Sequence, residues 1–324
     1  MLKLIIQIPC YNEEETLHIA VADLPKAIPG VDEIEYLVIN DGSTDNTTEA
    51  ARRCGVHHIV SYSKNKGLAN AFMTGIDACL RLGADIIVNT DADNQYCGAD
   101  IAGLIQPILD GKAEMVIGER PIDHIDDFSP LKKKLQRLGS RVVRMVSGTD
   151  VPDAPSGFRA YSRETAMKLN VVSRYTYTLE TIIQAGNKNI ALASVPVRTN
   201  PQLRKSRLFK SMRAYIKRSV ATMFRIFLMY RPFKVFAAVG SVIFALGAIL
   251  GCRFLYFFFT GTGDGHIQSL ILTAVLLMIG FQTITLGLLA DVISANRKLI
   301  EDVQYRVRKM DYESVSSRKD GDSL

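Results

Sequence analysis

A chain of 324 residues has room for about two units, and its 48 % hydrophobic content is globular overall but unevenly spread. Its five cysteines (Cys10, Cys54, Cys79, Cys97, Cys252) are odd in number, widely spaced and without a C-x-x-C pair, which argues against a disulfide framework or a zinc site and suits a reducing cytosol. The net charge of +6 collects just ahead of a long apolar stretch, a placement suited to an anionic membrane surface and not to nucleic acid.

The opening MLKLIIQIPCYN carries one lysine and a short apolar run that ends in a polar turn, so Leu2–Pro9 reads as a first strand and not as a secretory signal. Asn12, with Glu15 three residues on, reads as the N-cap of a helix carrying Leu17, Ile19 and Leu24. Buried-strand runs follow at Tyr36–Ile39, Asp85–Val88 and Met115–Ile117. Polar turns close them: Asn40-Asp41-Gly42, Thr90-Asp91-Ala92-Asp93 and Gly118-Glu119-Arg120. Helical stretches lie between them near 45–54, 68–82, 99–110 and 130–146. Strands that alternate with helices predict an α/β domain built on a mostly parallel sheet covered on both faces. Ligands of such sheets bind beyond the carboxyl ends of the strands, so the three polar exits are expected to converge on one crevice.

The second half differs. Residues 204–234 carry Arg204, Lys205, Arg207, Lys210, Arg213, Lys217, Arg218, Arg225, Arg231 and Lys234. Leu208–Leu228 spaces Leu208, Met212, Tyr215, Ile216, Val220, Met223 and Phe227 by three and four residues, which predicts an amphipathic helix lying in a membrane interface. A helix packed on the globular domain is the alternative. Phe233–Phe259 and Ile267–Ala290 are each long enough to cross about 30 Å of hydrocarbon, which takes roughly 20 helical residues. The linker Thr260–His266 has no Lys or Arg, whereas Arg297, Lys298, Arg306, Arg308 and Lys309 follow the second span. By the positive-inside rule both termini and the α/β domain are expected in the cytoplasm. Arg253, near the outer end of the first span, is expected to snorkel. Gly240, Gly247 and Gly251 offer a face for association into a homo-oligomer, against the simpler reading of lipid-facing glycine. The polar tail from Asp311 is expected to be disordered. The expected organisation is a domain over 1–206, an interfacial region over 207–232, a two-helix anchor over 233–290 and a tail over 291–324.

Asp91 and Asp93, one residue apart at the mouth of a buried strand, are oxygen ligands suited to Mg²⁺ or Mn²⁺, and Gln95 could add an amide oxygen. Alone, a D-x-D in a loop is usually a solvated turn; here a strand delivers it to the crevice. Asn40–Asp45 leaves a strand and opens a helix, where Asp41 could accept hydrogen bonds from a base or ribose beside an anion-friendly helix N-terminus. Lys64-Asn65-Lys66-Gly67 adds cations and a flexible turn on the same side.

The order Pro9-Cys10-Tyr11-Asn12-Glu13-Glu14, Asn40–Asp45, Asn65-Lys66-Gly67, Asp91-Ala92-Asp93-Asn94-Gln95 and Ser156-Gly157-Phe158-Arg159-Ala160-Tyr161 resembles family 2 glycosyltransferases. Within them it is similar to the dolichol-phosphate mannose synthase and polyprenyl-phosphate glucosyltransferase branch, over residues 1–210. The resemblance implies a GT-A fold, an inverting mechanism, a nucleotide-sugar donor, a divalent metal and a polyprenyl phosphate acceptor. By position it implies that Pro9, Tyr11, Glu13, Asp41 and Lys66 bind the nucleotide-sugar, that Asp91, Asp93 and Gln95 hold the metal, and that Arg204 belongs to a basic segment closing over the site. It implies that Arg120, Arg137 and Ser140 meet the acceptor phosphate, and that Asp153 lies near the transferred sugar. Three rival readings stand beside it. A processive polysaccharide synthase is disfavoured by the lack of tryptophan and the two spans; transfer to a lipid hydroxyl such as diacylglycerol would need Asp153 as a base; a non-catalytic nucleotide-sugar-binding scaffold would not need the intact acidic set.

Overall fold

The computed structural model describes residues 1–121, 130–172, 177–201, 220–221, 224–225, 228–230, 232–261 and 267–321, and within them no side chains over 130–138 and 313–321. It comprises two compact units, Met1–Met223 with Val303–Leu324, and Phe224–Asp302.

In the first unit, β1 (Lys3–Cys10), β2 (Glu33–Asn40), β3 (His58–Ser61), β4 (Ile86–Asn89), β5 (Met115–Glu119), β6 (Arg159–Ser162) and β7 (Leu192–Pro196) form one sheet in the order β3-β2-β1-β4-β6-β5-β7. All pairings are parallel except those of β6, which runs antiparallel between β4 and β5. β1 has β2 on one side and β4 on the other, so the chain changes direction across the sheet between β1 and β4, where α/β folds open a crevice. Alternation along β1 sets the layers. Leu4, Ile6 and Ile8 join a core with Leu17, Val21, Val38, Val88 and Leu104. On the other face, α3 (Leu68–Arg81) comes so close to β1 that a Cβ on Gly75 would lie 2.1 Å from Gln7 Oε1.

The predicted strands at 36–39 and 115–117 are present with one- to three-residue extensions, and the one at 85–88 is shifted by one residue to Ile86–Asn89. The predicted helices are α2 (Thr47–Arg53), α3, α4 (Ile101–Leu109) and α5 (Pro130–Ser147). Asn12 is not a helix cap. It adopts φ 56°, and its Oδ1 accepts the Thr44 N–H at 2.8 Å, and α1 (Leu17–Ala22) starts only at Leu17. The side chain satisfies a neighbouring loop instead of its own helix end. β3, β6 and β7 had no counterpart in the sequence reading: they are four or five residues long, and β3 and β7 are edge strands.

The first unit also contains α6 (Arg163–Lys168) and α7 (Thr178–Asn187). The second unit pairs α8 (Pro232–Phe259) with the first part of α9 (Ile267–Gly321). Both helices are long and apolar enough to cross a membrane, and little of either apolar stretch is buried. Arg253 lies over the Phe257 ring at 5.7 Å. The glycine face is neither lipid-facing nor spare. A Cβ on Gly240 would sit 2.7 Å from Ile284 Cγ1, and one on Gly247 3.0 Å from Leu276 Cβ, so both glycines are consumed by packing α8 on α9.

The disordered tail expected from Asp311 is also corrected, because α9 continues as helix to Gly321. Within the first unit its turns over 305–312 are held by polar contacts. Tyr305 donates to Glu164 at 2.5 Å, Arg308 donates to the Leu169 carbonyl at 2.7 Å, and Tyr312 donates to Asp77 at 2.6 Å. The Arg308 contact satisfies a carbonyl just past the end of α6, where helices leave acceptors without partners. The predicted interfacial helix over Leu208–Leu228 falls mostly outside the described residues.

Candidate active site

Because β1, β2, β4 and β5 run in one direction, their carboxyl ends share one edge of the sheet. β6 runs the other way, so its first residue joins them: Arg159 pairs with Asn89 and with Ile117. That antiparallel strand brings the 153–158 loop to the crevice, a placement no local sequence feature announces.

On the β1–β2 side, two loops are laced together. The Asn12 N–H donates to Ser43 Oγ at 2.9 Å, the Glu13 N–H to Thr47 Oγ1 at 2.9 Å, and the Asn46 N–H to Glu14 Oε2 at 3.1 Å. Asp41 is buried, and its two oxygens accept the Lys66 and Gly67 N–H groups at 2.7 and 2.9 Å. A carboxylate has about four lone-pair sites, so this loop-pinning role leaves acceptors for a ligand. Gly42, at φ 67°, is required here, since a Cβ would come within 2.4 Å of the Lys64 backbone. Glu13 is buried and takes the Thr16 hydroxyl at 2.7 Å, Tyr11 is exposed, and Pro9, the penultimate residue of β1, is half-buried. Lys66 Nζ lies 4.0 Å over the Tyr62 ring. Cys10 beneath them is not a nucleophile: burial pushes its thiol up, and Glu13, Asp45 and Asp91 push it further.

At the β4 exit the loop turns back through Asn94 at φ 55°, and Asp93 Oδ1 accepts the Gln95 N–H at 3.2 Å. Asp91 faces the 153–158 loop, where a Cβ on Gly157 would lie 3.2 Å from a carboxylate oxygen. Gly157 is gripped on both sides. Its N–H donates to the Tyr96 hydroxyl at 3.0 Å, and its carbonyl accepts from Asn89 Nδ2 at 3.0 Å and from the Tyr177 hydroxyl at 3.3 Å. Asn89 in turn accepts from Gln7 Nε2 at 2.9 Å. Among the described residues no group of three or more His, Cys, Asp or Glu side chains forms a closed metal cage. The donor set fits an open site, in which one or two carboxylates hold a hard cation with substrate phosphate oxygens completing the shell.

The β5 exit holds a buried ion pair. Arg120 Nε donates to Asp153 Oδ2 at 2.7 Å and a terminal nitrogen donates to Oδ1 at 3.0 Å, with Arg120 8 % exposed and Asp153 fully buried. Burial pulls the Arg120 pKa down, but Asp153 outweighs it and the guanidinium stays charged. The two residues assigned separately to acceptor and sugar by resemblance are therefore joined in a bidentate fork. Ser140, also buried, accepts the Ala154 N–H at 3.2 Å and so fastens α5 to the same loop. The Arg137 side chain and Arg204 lie outside the described residues.

Three groups to which the sequence assigns no role in the site organise this side. Burial, opposed by Arg120 and aided by Asp91 and Asp153, pushes the Tyr96 phenol up to about 12, so Tyr96 serves as a neutral hydrogen-bonding post. Tyr177 stacks on Phe72 at 3.9 Å between ring centroids. Arg159, fully buried, fans its donors onto the carbonyls of Ala154, Ser156 and Thr178 and onto Thr181 Oγ1. It is a brace of the loop, not a ligand. Only its place inside Ser156–Tyr161 marked it in the sequence.

Residues 5–169 match the model of Glycosyl transferase family 2. The chain is 32 % identical over 214 residues to UDP-N-acetylglucosamine--dolichyl-phosphate N-acetylglucosaminyltransferase of Methanococcus voltae, covering 59 % of this chain and 83 % of that one. It is 25 % identical over 342 residues, 99 % of this chain and 97 % of the other, to undecaprenyl-phosphate 4-deoxy-4-formamido-L-arabinose transferase of Photorhabdus laumondii. Among solved structures, glucosyl-3-phosphoglycerate synthase from Mycobacterium tuberculosis, in complex with Mn²⁺, UDP and phosphoglyceric acid, superposes with a TM-score of 0.56 over 70 % of this chain and 78 % of that one, at 20 % identity. The fold is thus GT-A. With a family match spanning half its length, on the strands that carry the acidic pair, the chain belongs to glycosyl transferase family 2.

Proposed function

We propose that the protein transfers a hexose, with inversion, from a nucleotide-sugar to a polyprenyl phosphate at the cytoplasmic face of a membrane, as the named activities of its relatives suggest. The observation that carries this reading is the juxtaposition, around Tyr96 and Gly157, of the Asp91–Asp93 turn with the Arg120–Asp153 pair. One side offers carboxylates for a cation and the other a guanidinium for phosphate.

Pro9, Tyr11, Glu13, Asp41 and Lys66 are assigned to the nucleotide, with Arg204 closing over it. Asp91, Asp93 and Gln95 are assigned to Mg²⁺ or Mn²⁺, which when bound stabilises charge on the departing diphosphate. Arg120, with Arg137 and Ser140, is assigned to the acceptor phosphate, and Asp153 to orienting the sugar and Arg120. A phosphate monoester, with a second pKa near 6, is largely dianionic at neutral pH and needs no strong base. A lipid hydroxyl does need one, and Asp153 is ill placed for that work while both its oxygens hold Arg120. Fixed charges aimed at developing charge are often the largest catalytic contribution, which fits a site built from ions instead of a base. A polyprenyl chain leaves the bilayer only at about 0.8 kcal/mol per CH₂, so an enzyme of this kind works at the membrane, and the basic segments flanking the two apolar spans favour the cytoplasmic side.

The test incubates the full chain in membranes with polyprenyl phosphate and radiolabelled UDP- or GDP-sugars, with Mg²⁺ or Mn²⁺. An acid-labile lipid product is expected. An acid-stable glycolipid would move the acceptor to a hydroxyl, and no labelled lipid with any donor would overturn the reading.

A further inference from the structure

The sheet changes character one row short of the crevice. On the face that α3 covers, Ile5, Ile87 and Tyr161 stand in register across β1, β4 and β6, and all three are fully buried. The next row toward the crevice is Gln7, Asn89 and Arg159, equally buried but entirely polar. Asp91 follows two residues after Asn89, so this row lies at the foot of the 91–95 turn. Stability does not ask for it. Apolar side chains of similar shape would fill the row without desolvating two amides and a guanidinium. Gln7 Oε1 even lacks a hydrogen-bond partner among the described residues, a buried acceptor left unsatisfied.

The donors of the row converge instead on one loop. Arg159 donates to the Ala154 and Ser156 carbonyls, and Asn89 to the Gly157 carbonyl. The Asn89 amide is turned by its neighbours. Gln7 Nε2 donates to its Oδ1 at 2.9 Å, which leaves both Nδ2 hydrogens for the Gly157 carbonyl at 3.0 Å and the Tyr177 hydroxyl at 2.8 Å. Tyr177 donates to the same carbonyl at 3.3 Å. Gly157, fixed in this way, stands against Asp91, since a Cβ on it would lie 3.2 and 3.3 Å from the two carboxylate oxygens. A small shift of that peptide therefore changes the room that Asp91 has. We infer that Asn89, with Tyr177, is a positioning residue for the cation site: by holding the Gly157 peptide it sets how Asp91 is presented, a role that rests on the proposed assignment of Asp91 to a divalent cation. Asn89 is fully buried and acts through Gly157, as the outer partners of a metal site tune it without ligating.

The test titrates Mn²⁺ into the full chain in nanodiscs with UDP or GDP present. Free Mn²⁺ is read by electron paramagnetic resonance against a nucleotide-only blank, and each sample is melted. Asn89→Leu alone strands the Gln7 amide and is expected to melt early. Gln7→Leu with Asn89→Leu removes both amides. It is expected to melt with the parent yet bind Mn²⁺ roughly tenfold more weakly, the low end of what outer partners of a metal site cost. Tyr177→Phe, which deletes one hydroxyl, is expected to weaken Mn²⁺ binding about threefold, the scale of one modest hydrogen bond. A double variant with the parent's Mn²⁺ affinity overturns the inference and leaves the metal assignment standing. A parent that takes up no Mn²⁺ with either nucleotide overturns that assignment and the inference together. If the double variant does not recover the parent's melting temperature, Tyr177→Phe decides alone, and parental Mn²⁺ affinity there overturns the inference.

Discussion

The two sides of the crevice are built on different physics. At the β1 and β2 exits, the loops are laced by many separate bonds, mostly backbone N–H groups given to Asp41, Ser43, Thr47 and Glu14. At the β5 exit one buried ion pair, Arg120–Asp153, is braced by Arg159, Tyr96 and Ser140. A mesh of modest hydrogen bonds, each worth about 0.5–1.5 kcal/mol net, degrades gradually. A buried ion pair fails abruptly, because removing one partner strands the other charge. The molecule thus separates residues that cost activity from residues that cost both activity and stability.

The largest effect is expected at Asp93. Asp93→Asn should lower turnover with saturating Mg²⁺ or Mn²⁺ by roughly 10²–10³-fold, the cost of losing one fixed electrostatic group, while the melting temperature stays put. Initial rates and a thermal scan on one preparation check it; near-parental turnover would remove Asp93 from the metal assignment. Asp153→Ala should instead unfold early, losing about 3–5 kcal/mol through the stranded Arg120 charge. The compensated double variant Arg120→Met with Asp153→Leu should recover stability and remain inactive. Recovery of turnover along with stability would show that the pair is scaffolding only.

Tyr96→Phe sits between these extremes. It leaves the buried Gly157 N–H without its acceptor, a penalty of about 1–3 kcal/mol. It also loosens the loop facing Asp91. A drop in kcat at unchanged donor KM is expected, and denaturation with steady-state kinetics would read both parts.

How much of this was legible follows the same division. The β2 and β4 exits were readable because each motif is contiguous, a strand followed by a polar turn, as in Ile39–Asp45 and Val88–Asp93. The Arg120–Asp153 side is assembled across the sheet by β6, a four-residue strand whose direction no local pattern encodes. Asp153 and Arg120 could be named by position, but their pairing could not. Asn12 was misread for a related reason: an Asn before an acidic run is a good cap, yet a partner loop at Thr44 competes for its oxygen. The tail was misread because its polar composition omits what stabilises it, namely Glu164, Asp77 and the Leu169 carbonyl.

The smallest effect tests that tail. Burial pushes the Asp77 carboxyl up, but hydrogen bonds from Tyr312 and Arg81 outweigh it and hold it below the ordinary value; Glu164 is held down in the same way by Tyr305 and Lys168. A carboxylate depressed in the folded state adds stability above its unfolded pKa and loses it as pH falls through the folded one. Both groups are well exposed and screened, so each contributes only about 0.2–1 kcal/mol. The melting-temperature gap between the parent and Asp77→Asn should therefore stay constant from pH 8 to pH 5 and close only below the ordinary carboxylate range near pH 4. A gap that closed by pH 6 would mean that a histidine, and not the Tyr312–Asp77 contact, governs how the end of α9 is held.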